Sequence, residues 1–528
     1  MTHMLKQRVN PFSAMSGLYP DEALKAHRDG LIYIHRLDER DKGYSAGWSI
    51  GSLADNKRRR DGLKGLLSGI LEPLGRLQRE WAGPQAVNSL DVYSAAAIKG
   101  AEETEHELRE NVAGFVSDVQ SLGNQLSVSL DLRPDATMPV SMYGFTTSDP
   151  QTLGIHMDLF NNAFADALEH SYGRGAFGLV PVLNVTEQTD WGSEALSRYV
   201  ALSYLYGYPT IQNYYTGTLH PRYLHEPEAV ASDKEATYIR HGGVYGNSDN
   251  QGCLSVVTLN LPRLSQLSRT EDEFFMRLDE AVELARVVHE SKRRHLEEML
   301  AEGRLPETAR HLDSLDWHFS AVNVVGMNEA LLGLIGAGTG HVAGKAVTYR
   351  LLEHLIWRIE EIQVETGHVY TLEAAPCEEV GAHMAENDVA SQPGCAQPYY
   401  TGSTELPPWH GDDLWDAMEH QKKYHGIYTG GNVFQIHLAR GLGYREECKL
   451  LLRRALEVFG FNHLKVSPVF SLCKEHGYLW GEQQTCPVCE GEAEVYTWVD
   501  CSPRALDELG EGLKEAHRRR VYSDVKDR

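Results

Sequence analysis

The chain has 528 residues, a length that suits about three average domains or one large enzyme barrel. It carries 74 acidic against 50 basic side chains, a formal net charge of −24. That balance argues against a general nucleic-acid binder, which needs clustered Lys and Arg to displace counterions, and against docking on an anionic membrane. With 42% hydrophobic and 9% aromatic residues the chain can bury a large core, so wholesale disorder is excluded.

The N-terminus has no apolar core of the secretory type, and a cytoplasmic location is expected. Residues 1–150 read as mainly helical, with a solvated basic run at Lys57–Arg60 and an apolar stretch from Leu63 to Leu77. Leu179–Val185 is an apolar run of strand length, and so is Leu254–Leu261, closed by Pro262. A long helix follows: Thr270 and Glu273 have capping-box spacing, and Phe274, Leu278, Val282, Ala285 and Val288 recur at helical intervals. Short strands at Ala321–Val325 and Phe434–Leu438 are separated by helical segments such as Val347–Ile362. This alternation predicts an α/β architecture with a mainly parallel sheet. The longest uncharged apolar stretch, Ala330–Gly344, is too short and too Gly-rich to span a bilayer.

The eight cysteines are unevenly placed, none before Cys253 and four between Cys473 and Cys501, which reads as metal or thiol chemistry in a reducing compartment. Cys473-x2-His476 and Cys486-x2-Cys489 form two knuckles that can present four ligands tetrahedrally, and with all four positions filled by protein the implied zinc is structural. The Gly-rich run from Gly336 to Lys345 fails as a P-loop, because Thr339 and Ala346 stand where Gly and Ser or Thr are required; it reads as a helix–loop connection. Cys377 and Cys395 bracket an acidic, turn-rich stretch and read as two unpaired thiols.

Long blocks carry a resemblance over nearly the whole chain: LSVVTLNLPRL at 254–264, VVGMNEALLGLIG at 324–336, ETGHVYTLEAAP at 365–376, PYYTGSTELP at 398–407, YTGGNVF at 428–434 and EVYTWV at 494–499. With LIYIHRLD at 31–38 and YGYPTIQNY at 206–214 upstream, they resemble the catalytic subunit of the anaerobic, class III ribonucleoside-triphosphate reductases. The resemblance implies a ten-stranded α/β barrel of the ribonucleotide reductase and glycyl radical enzyme type, made of two five-stranded halves, with a C-terminal zinc-binding segment. It divides the chain into an N-terminal part of the barrel (1–150), the barrel proper with a finger loop near 250 (151–465), the zinc segment (466–500) and a tail (501–528). It also implies a homodimer and a nucleotide or nucleoside partner, with no nucleic acid and no membrane. Asn328, Glu329, Ser403, Thr404, Thr429, Gly430 and Gly431 resemble the family's nucleotide-facing positions, and Ser45 stands where members carry a cysteine before AGWS.

The radical chemistry departs from the family pattern. Cys501 occupies the position of the glycine that stores the backbone radical, and a substituted α-carbon cannot do that job. Neither His225–Ala231 nor YIRHGGVYGN after it holds the expected hydrogen-abstracting cysteine. Cys253, just ahead of a buried strand, is placed like the finger-loop cysteine of the oxygen- and cobalamin-dependent relatives, but Ser255 replaces their glutamate. The first reading is therefore an enzyme acting on a nucleotide sugar by thiol or thiyl chemistry without a glycyl radical, by reduction or, given the missing thiols, by epimerisation. Cys253 and Cys501 carry it, the radical source is open, and adenosylcobalamin is one candidate. The alternative is a catalytically dead homologue that binds nucleotides as a sensor or partner subunit.

Overall fold

The computed structural model describes residues 17–54, 61–101, 103–133, 150–215, 249–374, 376–391, 397–411, 413–439 and 445–523. The block His225–Ala231, the segment after it, Cys395, the run Lys57–Arg60 and most of the stretch assigned to a finger loop lie outside these residues.

Ten strands form the barrel. One parallel half comprises β2 (Ser45–Trp48), β3 (Gln85–Val87), β4 (Leu126–Leu130), β5 (Leu179–Val185) and β6 (Thr210–Asn213). The other comprises β7 (Gly252–Asn260), β8 (His318–Val325), β9 (Tyr370–Glu373), β10 (Phe434–Leu438) and β11 (His463–Pro468). The halves meet antiparallel at β2–β7 and at β6–β11. A parallel bridge from Ala374 to Asn432 joins β9 to β10 and closes the ring. A short strand, β1 (Ile32–Ile34), pairs with β7 outside this order. Helices wrap the barrel because alternate strand residues are apolar on the outward face: Leu254, Leu464 and Val466 join one helix-packed core, and Val257, Leu259, Val322 and Val324 another.

The barrel of two five-stranded halves is as expected. The strands β5 and β10 coincide with the predicted runs, and the long helix spans Glu271–Ala301 with the Thr270 hydroxyl accepting from the Glu273 N–H at 3.2 Å. The described residues before 150 hold the helices Gly62–Leu77, Leu90–Ala101 and Glu105–Val119 and also supply β2, β3 and β4, only three to five residues each, too short for an alternation to register. The Cys-rich segment is a four-stranded sheet, β12 (Phe470–Cys473), β13 (Gly477–Trp480), β14 (Ala493–Val499) and β15 (Ser502–Ala505). The boundary drawn at residue 500 is corrected: it cuts the β14–β15 hairpin at its turn, and the tail beyond folds into the helix Glu511–Arg519. Among the described residues no helix is long and apolar enough to cross a membrane.

Candidate functional site

The β14–β15 hairpin turns into one end of the barrel. Val499 pairs with Ser502, so Asp500 and Cys501 form a two-residue loop, and both have positive φ, 49° and 59°, as a primed hairpin turn requires. Neither residue is one that the left-handed region favours at no cost, so neighbours must hold the turn. The Asp500 carboxylate accepts from the Glu378 N–H at 2.6 Å, at the start of the helix Glu378–Ser391, while the Glu378 carboxylate accepts from the Asp500 N–H. Trp498 donates to the Pro468 carbonyl at 2.9 Å and packs on Gly207 so closely that a Cβ there would lie 2.1 Å from the ring; Gly207 also has φ +71°. Gln125 and Tyr208 reach Ser502 and the Cys501 carbonyl from the barrel wall.

Cys501 is buried, and burial drives its thiol well above the ordinary range against the opposing pull of Lys465. Lys465 is itself sealed in the barrel, donating to the Gly207 carbonyl at 2.9 Å and standing over the rings of Tyr208 and Trp498; burial lowers it to about 7. A cavity of about 60 Å³ adjoins Cys501, lined also by Ser127, Thr210 and His463. His463 donates from Nδ1 to the Asn432 carbonyl at 3.0 Å, which leaves Nε2 as an acceptor without a partner among the described residues.

Cys253 has other surroundings. It lies within β7 rather than ahead of it, opposite Ser45 in the antiparallel β2–β7 pair, beside a bulge that shifts the β7–β8 register between Cys253 and Ser255. Its thiol donates to the Ser255 carbonyl at 3.3 Å and packs with Val256, Phe319, Ala321 and Val369, fully buried and held protonated. Both cysteines are free thiols, and no hydrogen bond or disulfide joins them. Ser255 turns its hydroxyl to His289 at 2.6 Å, away from the role of the missing glutamate.

A cavity of about 450 Å³ lies between β10, the segment Tyr399–Asp413, the helix Leu414–His425 and the tail, lined by Phe434, Gln435 and His437 of the strand. Its lining includes one interacting group, Glu378, Glu405 and Arg520, and a second, Lys345, Lys423, His410 and His420. Burial, the nearby Glu378 carboxyl and, in opposition, Arg520 set Glu405 at about 8, so it is largely protonated at neutral pH. Burial raises both Glu378 and Asp500, and Glu378 raises Asp500 further. His420 is lowered to about 4, chiefly by burial, with Lys345 and Lys423 adding to the effect. Asp413, Asp416 and Glu419 line the same cavity.

The residues expected to face a nucleotide hold the rim of the barrel instead of lining this cavity. Asn328 accepts from the Thr339 N–H at 3.2 Å, and Glu329 accepts from the Thr401 N–H and hydroxyl at 3.1 and 2.8 Å. Thr404 accepts from Gln421 and Tyr428, Thr429 accepts from the Leu372 N–H, and Ser403 lies 3.4 Å from the Asn323 amide oxygen at φ +41°. Gly431 accepts from the Ala374 N–H where the barrel closes, and Gly430 lies so near β9 that a Cβ would stand 2.5 Å from the Glu373 Cγ. Ser45 is buried at the β2–β7 seam. Sequence reasoning missed Glu378, Glu405 and Arg520: Glu405 lay in a quoted block, TGSTELP, while nothing singled out Arg520.

The four knuckle residues Cys473, His476, Cys486 and Cys489 converge as expected, their ligand atoms all within 4.8 Å of one another. Cys473 Sγ lies 3.6 Å from Cys489 Sγ and 3.7 Å from His476 Nδ1. A tetrahedral zinc with Zn–S bonds of about 2.3 Å spaces its sulfurs roughly 3.8 Å apart, so the set fits that ion. The Cys473 thiol is lowered to about 6 by the backbone N–H groups of His476 and Glu475, toward the thiolate that binds metal.

Two parallel five-stranded halves set antiparallel, with a C-terminal hairpin turned into one end, define the barrel class of the ribonucleotide reductases. The chain belongs to the anaerobic ribonucleoside-triphosphate reductase family, whose profile matches residues 1–500. Among solved structures it is similar to an "Anaerobic ribonucleotide reductase", at 15% identity over 96% of this chain and 85% of that one, TM-score 0.78. It is also similar to the anaerobic ribonucleotide reductase of Thermotoga maritima in complex with dATP and CTP (14% identity, 94% and 86% covered, TM-score 0.74). The same Thermotoga maritima protein with MES in the active site matches at 15% identity, with 92% and 85% covered and TM-score 0.74. No curated protein sequence matches.

Proposed function

We propose that this chain binds a ribonucleotide in the 450 Å³ cavity and acts on its sugar by thiol chemistry, without a glycyl radical. The observation that carries the reading is the polarity of that cavity. Lys345 and Lys423 both line it and both act on His420, with neither ammonium in an ion pair among the described residues. They suit the polyphosphate, whose charge needs unspent cations. The Glu378, Glu405 and Arg520 group offers side chains that hydrogen-bond hydroxyls. Glu378 links this group to the hairpin turn through its two bonds with Asp500.

Both thiols are held protonated by burial, which suits a hydrogen-atom donor and not a nucleophile. The reading assigns Cys501, next in the chain to the Glu378-bonded Asp500, as the thiol nearer the sugar, and Cys253 as its partner. The radical source is an added generator, with adenosylcobalamin the first to try, and the protein works as a homodimer in the cytoplasm. Calorimetric titration with CTP tests the binding step. Wild type binds, and the Lys345→Ala, Lys423→Ala double variant binds at least tenfold more weakly; equal affinities contradict the reading.

A second reading, nucleotide binding without turnover, draws on the sealing of Cys253 among apolar side chains with no bond to Cys501. The two separate in a turnover assay with supplied radical source and reductant. The enzyme reading expects Cys501→Ser and Cys253→Ser each to abolish product, whereas the second reading expects no product from wild type.

A further inference from the structure

Arg520 reaches the cavity from a part of the chain beyond the family-matched residues 1–500. The helix Glu511–Arg519 that carries it buries Leu513 and Ala516 against Ala382, Tyr399 and Val499. Arg519 stacks on Trp409 with its guanidinium 4.0 Å from the ring centroid, and past the helix the Val521 N–H bonds the Pro408 carbonyl at 2.7 Å while the Ser523 N–H bonds the His437 carbonyl at 3.0 Å. The tail is therefore pinned on both sides of Arg520. The Arg520 side chain is only 11% exposed, yet among the described residues its one ion pair is a long contact of 4.0 Å to Glu378. A guanidinium has five N–H donors, and here the group lines the cavity, where a ligand can accept from it. Across the same space, the Glu405 carboxyl has no hydrogen-bond partner among the described residues.

We propose that Arg520 and Glu405 form a recognition pair for the vicinal 2′,3′-diol of a ribose, so that the tail makes the cavity selective for ribonucleotides over deoxyribonucleotides. A planar donor fork beside a carboxyl that can both donate and accept matches two adjacent hydroxyls, each of which does both. The groups around Glu405 are Glu378 from its helix start, Asp500 and Cys501 from the hairpin turn, Cys377, and Arg520 from the tail. The net charge they leave near the diol is small, which suits a neutral hydroxylated portion. A ligand lacking one hydroxyl leaves Arg520 or Glu405 unmatched in a buried site, and such sites discriminate strongly.

The proposal rests on the nucleotide reading above, and calorimetry with CTP and dCTP on the full chain tests the two separately. Wild type is expected to bind CTP at least tenfold more tightly than dCTP. Arg520→Ala and Glu405→Ala should each bring that ratio below about threefold, while Glu405→Gln, which keeps a donor and an acceptor, retains most of it. A wild type that binds both nucleotides equally overturns the diol pair and leaves the nucleotide reading standing. A wild type that binds neither overturns both. Retention of the full ratio in Arg520→Ala, with the fold checked by circular dichroism, also overturns the pair.

Discussion

Asp500 and Glu378 each accept the other's backbone N–H through their carboxylates, at 2.6 and 2.5 Å. Asp500 thereby acts as an N-terminal cap supplied from outside the helix Glu378–Ser391, and also bonds the Glu379 N–H at 3.4 Å. The exchange locks a strained turn to the end of β9 and to the wall of the main cavity.

Removing that cap should loosen both partners. Asp500→Ala is expected to destabilise the protein by about 1–2 kcal/mol. It should also speed amide exchange at Glu378, Glu379 and Cys501 while the strands of the barrel stay protected. Asp500→Asn, which keeps an acceptor oxygen, should lie near wild type. Unchanged exchange at Glu378 in the alanine variant would show that the cap is idle.

The backbone at Cys501 sets a second expectation. A left-handed conformation costs a side-chain-bearing residue about 1–2 kcal/mol, and more for a β-branched one. At φ +59°, Cys501→Gly should therefore fold with near-wild-type stability, the lost side-chain burial offset by relief of strain, while Cys501→Val should lose roughly 2 kcal/mol or more. Urea titrations of the two variants give the comparison, and a valine variant as stable as the glycine one contradicts the turn geometry.

Glu405 ties stability to pH. Its ordinary value of 4.5 is raised to about 8 in the fold by burial and by Glu378, with Arg520 pulling the other way. A raised carboxyl binds its proton more tightly in the folded state, so its contribution is complete below pH 4.5 and is lost as pH climbs through about 8. Glu405→Gln cannot lose a proton there. The melting temperature of the variant relative to wild type should rise steadily between these limits, and a flat difference would rule out the protonated acid.

The zinc knuckles predict a local loss. Cys486→Ser should lower bound zinc well below one per chain by elemental analysis and open the segment from Cys473 to Gly491 to proteases. The barrel, whose core clusters are separate from the cluster of Cys473, Leu479 and Cys486, should keep its own unfolding transition. Full zinc content in the variant would exclude Cys486 as a ligand.

Much of the scaffold could be read ahead because its signals are local. Apolar runs of strand length give β5 and β10, the Thr270–Glu273 spacing gives a helix start, and paired knuckles give the Cys473, His476, Cys486 and Cys489 cluster. The strands β2 and β3 escaped because three or four residues show no period, and they are strands only because neighbours supply their hydrogen bonds. The site was harder to read for a related reason. Glu405, Glu378 and Arg520 are far apart in sequence, and meet only when the tail helix docks on Tyr399 and Val499. Conversely, Gly430, Gly431 and Thr429 match the family blocks, and in this fold they hold the β9–β10 closure.

The most direct test is a crystal structure of the protein with CTP bound. The account predicts the triphosphate against Lys345 and Lys423 and the ribose hydroxyls within hydrogen-bonding distance of Arg520 and Glu405. A nucleotide bound elsewhere, or bound in this cavity with its ribose turned away from Arg520 and Glu405, would contradict it.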